Sequence, residues 1–346
     1  MSRYRIERIS ARPLEVPLTT PFVIASARVD VTPNVLVEVE VVDTVNGARA
    51  VGLGEAATLH PVTEQTQADV LRLVHSNTEL TGSASQGVQT AFEDACARIE
   101  RRTLRAALGD GRKIVEHLVS DITLSIGPHD EMGRLALDWR KRGFTCFKVK
   151  VGKDADADLK ALEHIHRLVP DATFRIDANA AYSAAEAIAV AKSSERLGLV
   201  IECFEQPCGK DALDEMAKVC AALEIPVIAD ESFQGEHDLE RLAKERAADG
   251  INLKLAKLGS PRAAFQIGLL AREKYGMKLM VGAMVEGRIG ITAAANVAAA
   301  LGGVEYPDVD TAFLLAADPF KGGYIESGPR LSLTHGPGLD CYVETP

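Results

Sequence analysis

Acidic residues end three successive predicted strands in the second half of the chain. The segments FRID, ECFE and VIAD finish at Asp177, Glu205 and Asp230, which lie 28 and 25 residues apart. Three carboxylates that converge on one sheet edge repel one another and resist ionisation unless a cation is shared between them. Ligation by oxygen atoms alone suits Mg²⁺ and also allows Mn²⁺. The pattern therefore predicts one divalent metal site formed by these three residues.

Lysines lie on two further predicted strands. In FKVKV, period-two alternation sends Lys148 and Lys150 to one face, and in INLKL it places Asn252 and Lys254 together. A hydrogen α to a carboxylate is a weak acid, and its removal is eased by a nearby metal and ammonium. Lysine is a suitable base if burial and neighbouring positive charge lower its pKa. Bases on both faces of a substrate would remove a proton from one side and return it on the other, which inverts the stereocentre.

From about residue 119, short apolar strands alternate with amphipathic helices, and this rhythm requires a parallel sheet. Seven or eight such units in about 200 residues fit a closed barrel better than an open Rossmann-like sheet. No G-x-G-x-x-G motif follows any of these strands, which also disfavours dinucleotide binding. In a barrel the reactive groups lie at the carboxyl ends of the strands, and the second and sixth strands face each other. The strands predicted are DITLSI, TCFKVKV, ATFRID, VIECFE, IPVIAD, GINLKL, MKLMVG and a weaker one at 303–306.

The first 118 residues have a different pattern. Strands are predicted at 5–17, 35–42 and 51–55 and helices at 63–80 and 85–108, with Ser85 as a helix cap. This combination predicts an α+β module that precedes the barrel.

Composition limits the function further. The net charge of -10 argues against nucleic-acid binding, so a small-molecule substrate is predicted. The six cysteines form no CxxC pair and suit reduced thiols. No segment has the length and apolar character of a membrane span, and the amino terminus does not have the pattern of a signal peptide, so a cytoplasmic location is predicted.

Taken in order, the motifs resemble the enolase superfamily, and within it the muconate lactonizing enzyme subgroup and the dipeptide epimerases. The resemblance covers most of the chain and implies an α/β fold: a (β/α)7β TIM-like barrel at 119–318, with a capping domain formed by residues 1–118 and the carboxy-terminal segment 319–346. It also implies that Asp177, Glu205 and Asp230 bind magnesium, that Lys150 and Lys254 are the paired acid and base, and that the protein is a homo-oligomer. The matching segments are GLGEAATLHPVTEQT, GFTCFKVKVG, RIDANAAYS, FEQP, IADES, INLKLAKLGS, VGAMVEGRIGITAAANVAA, PDVD and DPFKGGY.

The resemblance to dipeptide epimerases rests on Asp308 and Asp310, which match the DxD pair that holds the substrate ammonium in that group. By the same resemblance, Lys148 is a cation near the substrate carboxylate. The expected reaction is inversion of the carboxy-terminal α-carbon of an L,L-dipeptide. Further substrate contacts are predicted at Thr123, Arg28 and Met284.

One loop departs from the pattern. Ala27 stands where Ala-Glu epimerases carry an arginine for the glutamyl side chain, and Arg28 is adjacent and could substitute. A hydrophobic or cationic dipeptide therefore remains possible as the substrate.

Other reactions of the superfamily also remain possible, namely N-acylamino acid racemisation, o-succinylbenzoate synthesis and muconate cycloisomerisation. An alternative of another class is a non-catalytic barrel that binds a metabolite or a protein partner, and such a barrel would not need lysines on both faces.

Overall fold

The computed structural model of the chain describes residues 3–23, 28–60, 62–76 and 78–343. The amino-terminal part contains a three-stranded antiparallel sheet of order β1-β4-β5, a β2-β3 hairpin and helices that cover the sheet. The elements of this part are β1 (Tyr4–Leu14), β2 (Pro17–Val23), β3 (Arg28–Val31), β4 (Asn34–Asp43), β5 (Arg49–Ala56), α1 (Gln67–Val74), α2 (Gly82–Glu100), α3 (Leu104–Gly109) and β6 (His117–Val119). We refer to the part at 3–118 as the cap.

The cap has its own apolar core between the sheet and α2. The alternating valines of β4, from Val35 to Val41, are fully buried against alanines of α2. Gly52 and Gly54 allow β5 to approach the helix closely, because a Cβ at either position would lie 2.0 Å from a backbone oxygen of α2. Period-two alternation and two glycines thus place β5 directly beneath α2.

Eight parallel strands in the described part of the chain form a nearly closed barrel surrounded by helices. The strands are β7 (Ile122–Leu124), β8 (Cys146–Lys150), β9 (Thr173–Asp177), β10 (Val200–Glu205), β11 (Val227–Ala229), β12 (Gly250–Leu253), β13 (Lys278–Gly282) and β14 (Tyr306–Asp308). The helices are α4 (His129–Lys141), α5 (Ala155–Leu168), α6 (Ala184–Arg196), α7 (Leu213–Ala222), α8 (Glu236–Glu245), α9 (Leu255–Leu258), α10 (Pro261–Tyr275) and α11 (Arg288–Ala300). None of the helices described is long and apolar enough to cross a bilayer.

The end of the chain returns to the cap. After a 3-10 helix (Asp310–Phe313) come β15 (Phe320–Gly322), β16 (Tyr324–Ser327), β17 (Arg330–Leu333) and β18 (Cys341–Val343). Strand β17 pairs with β16 and β6, and β15 pairs with β18. Leu339 N donates a hydrogen bond to Asp94 of α2, and Leu104 N of α3 donates one to Gly338 O. The carboxy-terminal strands are therefore fixed to cap helices α2 and α3.

Some predicted element boundaries were wrong. The helix predicted at 85–108 is two helices, because Arg101 adopts a left-handed conformation (φ 55°) that ends α2. Ser85 lies inside α2 and does not cap it, since Thr81 occupies the cap position. The helix predicted at 63–80 is only eight residues long and begins after Thr66, whose side chain forms a capping box with Asp69. The eighth barrel strand lies at Tyr306–Asp308, which is later than the predicted 303–306.

Candidate active site

Strand register aligns the predicted acidic residues at one end of the barrel. Lys150 is the partner of Asp177 across β8 and β9, and Asp177 is the partner of Glu205 across β9 and β10. Asp230 directly follows β11, whose Ile228 is the partner of Glu205. Parallel neighbours lie about 4.8 Å apart, so the three acids form a continuous row at the carboxyl ends of the strands.

Lys148 lies at the centre of this row. Its Nζ is 2.6 Å from Glu205 Oε2, 2.8 Å from Asp308 Oδ2 and 3.2 Å from Asp177 Oδ2. The carboxylates oppose the effect of burial and raise the pKa of Lys148 well above its usual value. Lys148 is therefore a permanent positive charge among three carboxylates.

The other lysines of the barrel mouth are also ion-paired. Lys150 Nζ is 2.5 Å from Asp177 Oδ2, and Lys254 Nζ is 2.9 Å from Asp230 Oδ2. Lys257, which follows β12, donates to Asp230 Oδ1 at 2.7 Å, to Asp230 O at 2.8 Å and to Phe233 O at 3.0 Å. Strand β8 is the second and β12 the sixth of eight, so Lys150 and Lys254 face each other across the mouth.

These contacts set the charge of the acids. Burial disfavours ionisation of Asp177, but the ammonium groups of Lys150 and Lys148 lower its pKa to about 2. In the same way, Lys254 and Lys257 outweigh burial and hold the pKa of Asp230 below its usual range. Burial together with the charge of Asp177 raises the pKa of Glu205. Asp177 and Asp230 are thus ionised at neutral pH.

Glu205 offers an oxygen that could accept a cation. Its Oε1 accepts a hydrogen bond from Asn252 at 2.8 Å. Its Oε2 is buried and has no hydrogen-bond partner among the described residues, although Lys148 Nζ lies 2.6 Å away. Burial of carboxylate oxygens is costly unless positive charge lies nearby, which the lysines supply here and a divalent ion would add to. The row of acids therefore has the chemistry of a site for a hard divalent ion.

Asp308 and Asp310 lie beyond Lys148, where β14 meets β7, and Lys148 Nζ contacts Asp308 as well as the row of acids. Asp310 Oδ2 accepts a hydrogen bond from Thr123 N at 2.8 Å, which links the first and last strands of the barrel. Asp121 lies beside them, and within the described residues the carboxylate oxygens of these three acids all come within 4.8 Å of one another. This acidic group could also hold a cation. Asp121, however, already accepts a hydrogen bond from the Arg175 guanidinium at 2.8 Å.

A cavity of about 190 Å³ lies between the two groups of acids. This volume is many times that needed for one water molecule, so the site can hold a small organic molecule. Thr123 and Met284 line the cavity, as do the three inward lysines, Asp308 and Asp310. Arg28 does not: it is exposed, pairs with Asp30 at 3.0 Å and lines a separate surface groove. Ala27 lies outside the described residues.

Several residues that the structure brings to this site were not predicted from the sequence. Asp121 directly precedes β7 and lies two residues before Thr123, so period-two alternation, which predicts the same face for both, was the signal that could have found it. Lys257 follows β12 by one helical turn and could have been found in the segment KLAK. Phe22, Leu59 and Val62 come from the cap, and no local pattern predicts that they line a barrel cavity.

Comparison with known proteins gives matches over nearly the whole chain. The family model described as enolase C-terminal domain-like matches residues 131–341. An aromatic dipeptide epimerase from Herpetosiphon aurantiacus is 33% identical over 95% of this chain and 96% of its own length. An L-Ala-D/L-Glu epimerase from Bacillus subtilis is 33% identical over 97% of this chain and 96% of its own. The structure of a dipeptide epimerase from Enterococcus faecalis complexed with Mg and L-Leu-L-Tyr aligns with a TM-score of 0.89 at 28% identity, covering 97% of this chain and 99% of that chain.

Proposed function

The chain belongs to the enolase C-terminal domain-like family, and on this premise we propose that it is a dipeptide epimerase that inverts the α-carbon of the carboxy-terminal residue of an L,L-dipeptide. One observation carries the proposal. Lys150 and Lys254 face each other across a cavity that has carboxylates at both ends. With a divalent ion on the carboxylates at one end, a substrate with a carboxylate facing that ion and an ammonium facing Asp308 and Asp310 matches this distribution of charge.

In the proposed site, Asp177, Glu205 and Asp230 hold one Mg²⁺. The alignment of the three strand ends supports this assignment, because it brings carboxylate oxygens, the ligands that Mg²⁺ prefers, to one edge of the barrel. The group formed by Asp121, Asp308 and Asp310 is also acidic, but we assign Asp308 and Asp310 to the substrate and Asp121 to its ion pair with the Arg175 guanidinium. When bound, Mg²⁺ would supply positive charge that stabilises the negative charge developing on the substrate carboxylate.

Proton transfer is assigned to the two facing lysines. One lysine in its neutral form takes the α-proton, and the ammonium of the other donates a proton to the opposite face of the same carbon. The reverse reaction exchanges these roles, so each lysine serves one epimer. Lys148, which is permanently charged, stabilises the enediolate formed between the two transfers.

Asp308 and Asp310 are assigned to the free ammonium of the dipeptide. The charge of Lys148 outweighs burial and lowers the pKa of Asp308, so this residue is ionised. Burial and the charge of Asp308 raise the pKa of Asp310. A substrate ammonium would relieve the repulsion between the two side chains. An N-acylated amino acid lacks that charge, which is why we favour a dipeptide over the substrate of a racemase.

The test is epimerisation in deuterated water. Incubation of L-Ala dipeptides with Mg²⁺ should introduce deuterium at the carboxy-terminal α-carbon and produce the second diastereomer, as measured by mass spectrometry and NMR. Chelation should abolish both signals, and Mg²⁺ should restore them. N-acetylation of the dipeptide should strongly reduce the rate of epimerisation by the wild type, but it should have little effect on the rate of a variant in which Asp308 and Asp310 are both replaced by Asn. Asn at position 310 keeps an oxygen for Thr123 N, so the barrel contact is retained.

Other outcomes would favour the alternatives. Preference for N-acyl or N-succinyl amino acids over every dipeptide would indicate a racemase. Binding without any exchange would indicate a non-catalytic barrel. A homo-oligomeric state and a cytoplasmic location stay predictions from the sequence.

A further inference from the structure

Apolar side chains of the cap form a roof over the cavity. Phe22 of the β2-β3 hairpin and Leu59 and Val62 of the segment after β5 line its upper side, next to Met284 and Val285 from the barrel. Leu59 packs with Val285 and Phe22 in a small cluster. Val62 is 42% exposed and lines the cavity, so part of its side chain is open to a molecule bound there. The surface that faces the barrel mouth from the cap is therefore apolar.

The substrate side chain has to reach this roof. The barrel interior beneath the lysines is filled, because Asn252, Cys203 and Arg175 are 5% exposed or less. A carbon between Lys150 and Lys254 has its carboxylate on the side of Asp177 and its peptide nitrogen on the side of Asp308. Its side chain can extend only upward, toward the cap.

Every cation that lines the cavity within the described residues already has a partner. Lys148, Lys150 and Lys254 are paired with carboxylates, and Lys257 uses its three donors on Asp230 and Phe233. Residues 24–27, outside the described residues, are Ile, Ala, Ser and Ala, and thus carry no charge. An anionic side chain would therefore lose its hydration without gaining a cationic partner. Glu231, whose Oε2 has no hydrogen-bond donor, would also repel it.

We propose that the roof formed by Phe22, Leu59 and Val62 selects dipeptides with an uncharged, apolar side chain on the residue that is inverted. This inference rests on the proposed epimerase function and names the substrate class of the same site. Dipeptides that end in glutamate are disfavoured most, because both the roof and Glu231 oppose an anionic side chain. Dipeptides that end in lysine or arginine are disfavoured by the roof alone, since Glu231 would attract a cationic side chain.

The first test uses substrates whose side chains have similar length. L-Ala-L-Met, L-Ala-L-Gln, L-Ala-L-Glu and L-Ala-L-Lys are compared by kcat/KM for epimerisation with saturating Mg²⁺. We expect L-Ala-L-Met to exceed L-Ala-L-Gln and L-Ala-L-Lys by about tenfold and L-Ala-L-Glu by about 100-fold, since the roof desolvates each polar end and Glu231 repels only the anionic one. A kcat/KM for L-Ala-L-Glu equal to or greater than that for L-Ala-L-Met would overturn the inference. The same result for L-Ala-L-Lys would also overturn it and would assign Glu231 as the group that sets specificity. Exchange with none of the four would show that the epimerase function itself is wrong.

The second test changes the roof. Val62→Lys places an ammonium at the exposed edge of the cavity, so the ratio of kcat/KM for L-Ala-L-Glu to that for L-Ala-L-Met should rise about fivefold, as expected for a partly exposed ion pair. Val45→Lys is the matched control, because Val45 is 80% exposed in the turn between β4 and β5 and lies away from the cavity. A ratio that is the same in both variants and the wild type would show that the roof does not contact the substrate side chain.

Discussion

At the barrel mouth, each lysine shares its charge with a carboxylate on a neighbouring strand. Lys150 pairs with Asp177 on β9, and Lys254 pairs with the acid that follows β11. Asp230 outweighs burial and raises the pKa of Lys254, so this lysine is an ammonium in the present arrangement and is suited to donate a proton. Because Lys150 and Lys254 pair with different carboxylates, substitution of one leaves the ion pair of the other in place.

This separation predicts distinct effects for two variants. Lys150→Ala and Lys254→Ala should each reduce epimerisation by about 100- to 10,000-fold, because each removes the acid or base from one face. The surviving lysine should still exchange the α-proton of one epimer with deuterium, and the two variants should act on opposite epimers. Exchange is measured by NMR for each pure diastereomer. Lys153→Ala is the control, since Lys153 is an exposed lysine three residues beyond Lys150. If Lys254→Ala interconverts both epimers at the wild-type rate, the two-base mechanism is wrong.

Helix α11 begins against a carboxylate that the cap supplies. Glu55 at the end of β5 accepts hydrogen bonds from Gly287 N at 2.7 Å, from Gly290 N at 2.9 Å and from Asn34 Nδ2 at 2.7 Å. A carboxylate at a helix amino terminus satisfies backbone donors that have no partner within the helix. Glu55 thus attaches the cap to the loop before α11, the loop that carries Met284 into the cavity.

Removing this carboxylate should loosen the attachment. Glu55→Ala leaves three buried donors unsatisfied, so the free energy of unfolding should fall by roughly 2 to 4 kcal/mol. Denaturant unfolding followed by circular dichroism gives this value. Glu38→Ala on neighbouring β4 should change it by only about 0.5 kcal/mol, because Glu38 is half-buried and only accepts a 3.2 Å bond from Ser10. A loss for Glu55→Ala no larger than that for the control would contradict the role assigned to this contact.

At the scale of the whole molecule, the interface between cap and barrel encloses the carboxyl groups of Glu55 and Glu286, which are close enough to interact electrostatically. Glu286, from the loop after β13, accepts hydrogen bonds from Met284 N at 3.0 Å and from Gln86 of α2 at 3.1 Å. Burial, with a further contribution from the charge of Glu55, raises its pKa to about 8, although Lys254 acts in the opposite direction. The assembled protein therefore holds Glu286 protonated at neutral pH.

A raised carboxyl pKa makes stability fall as pH rises. Between the unfolded pKa of about 4.5 and the folded value of about 8, the unfolded chain releases this proton while the folded protein retains it, so rising pH favours unfolding. The Tm of the wild type should therefore fall relative to that of Glu286→Gln as pH increases from 5 to 8.5, as measured by calorimetry. Glu163→Gln, at an exposed position of α5, should follow the wild type at every pH. A constant difference in Tm between Glu286→Gln and the wild type would show that Glu286 does not titrate in this range.

The sequence by itself determined the barrel and most of the row of acids at its mouth. Both depend on local periodicity: alternation with period two assigns Lys148, Lys150 and Lys254 to the interior, and repeated units bring Asp177, Glu205 and Asp230 to equivalent strand ends. The boundary errors arose where a single backbone conformation decides the outcome, as at Arg101, whose left-handed φ no hydrophobic pattern reveals.

Only the tertiary structure decided what surrounds that row. Glu55 meets Gly287 across 232 residues, and Phe22, Leu59 and Val62 reach the barrel mouth from a separate part of the chain. Such contacts depend on how the cap lies on the barrel, and neither spacing nor composition encodes that placement locally. The same reason explains why Arg28, which was predicted from the sequence as a substrate contact, does not line the cavity. In the fold it pairs with Asp30 and lines a separate groove. Strand periodicity was enough to predict the inward lysines and strand-end acids, whereas the cavity is lined by residues of both the cap and the barrel, so its lining depends on their arrangement in space.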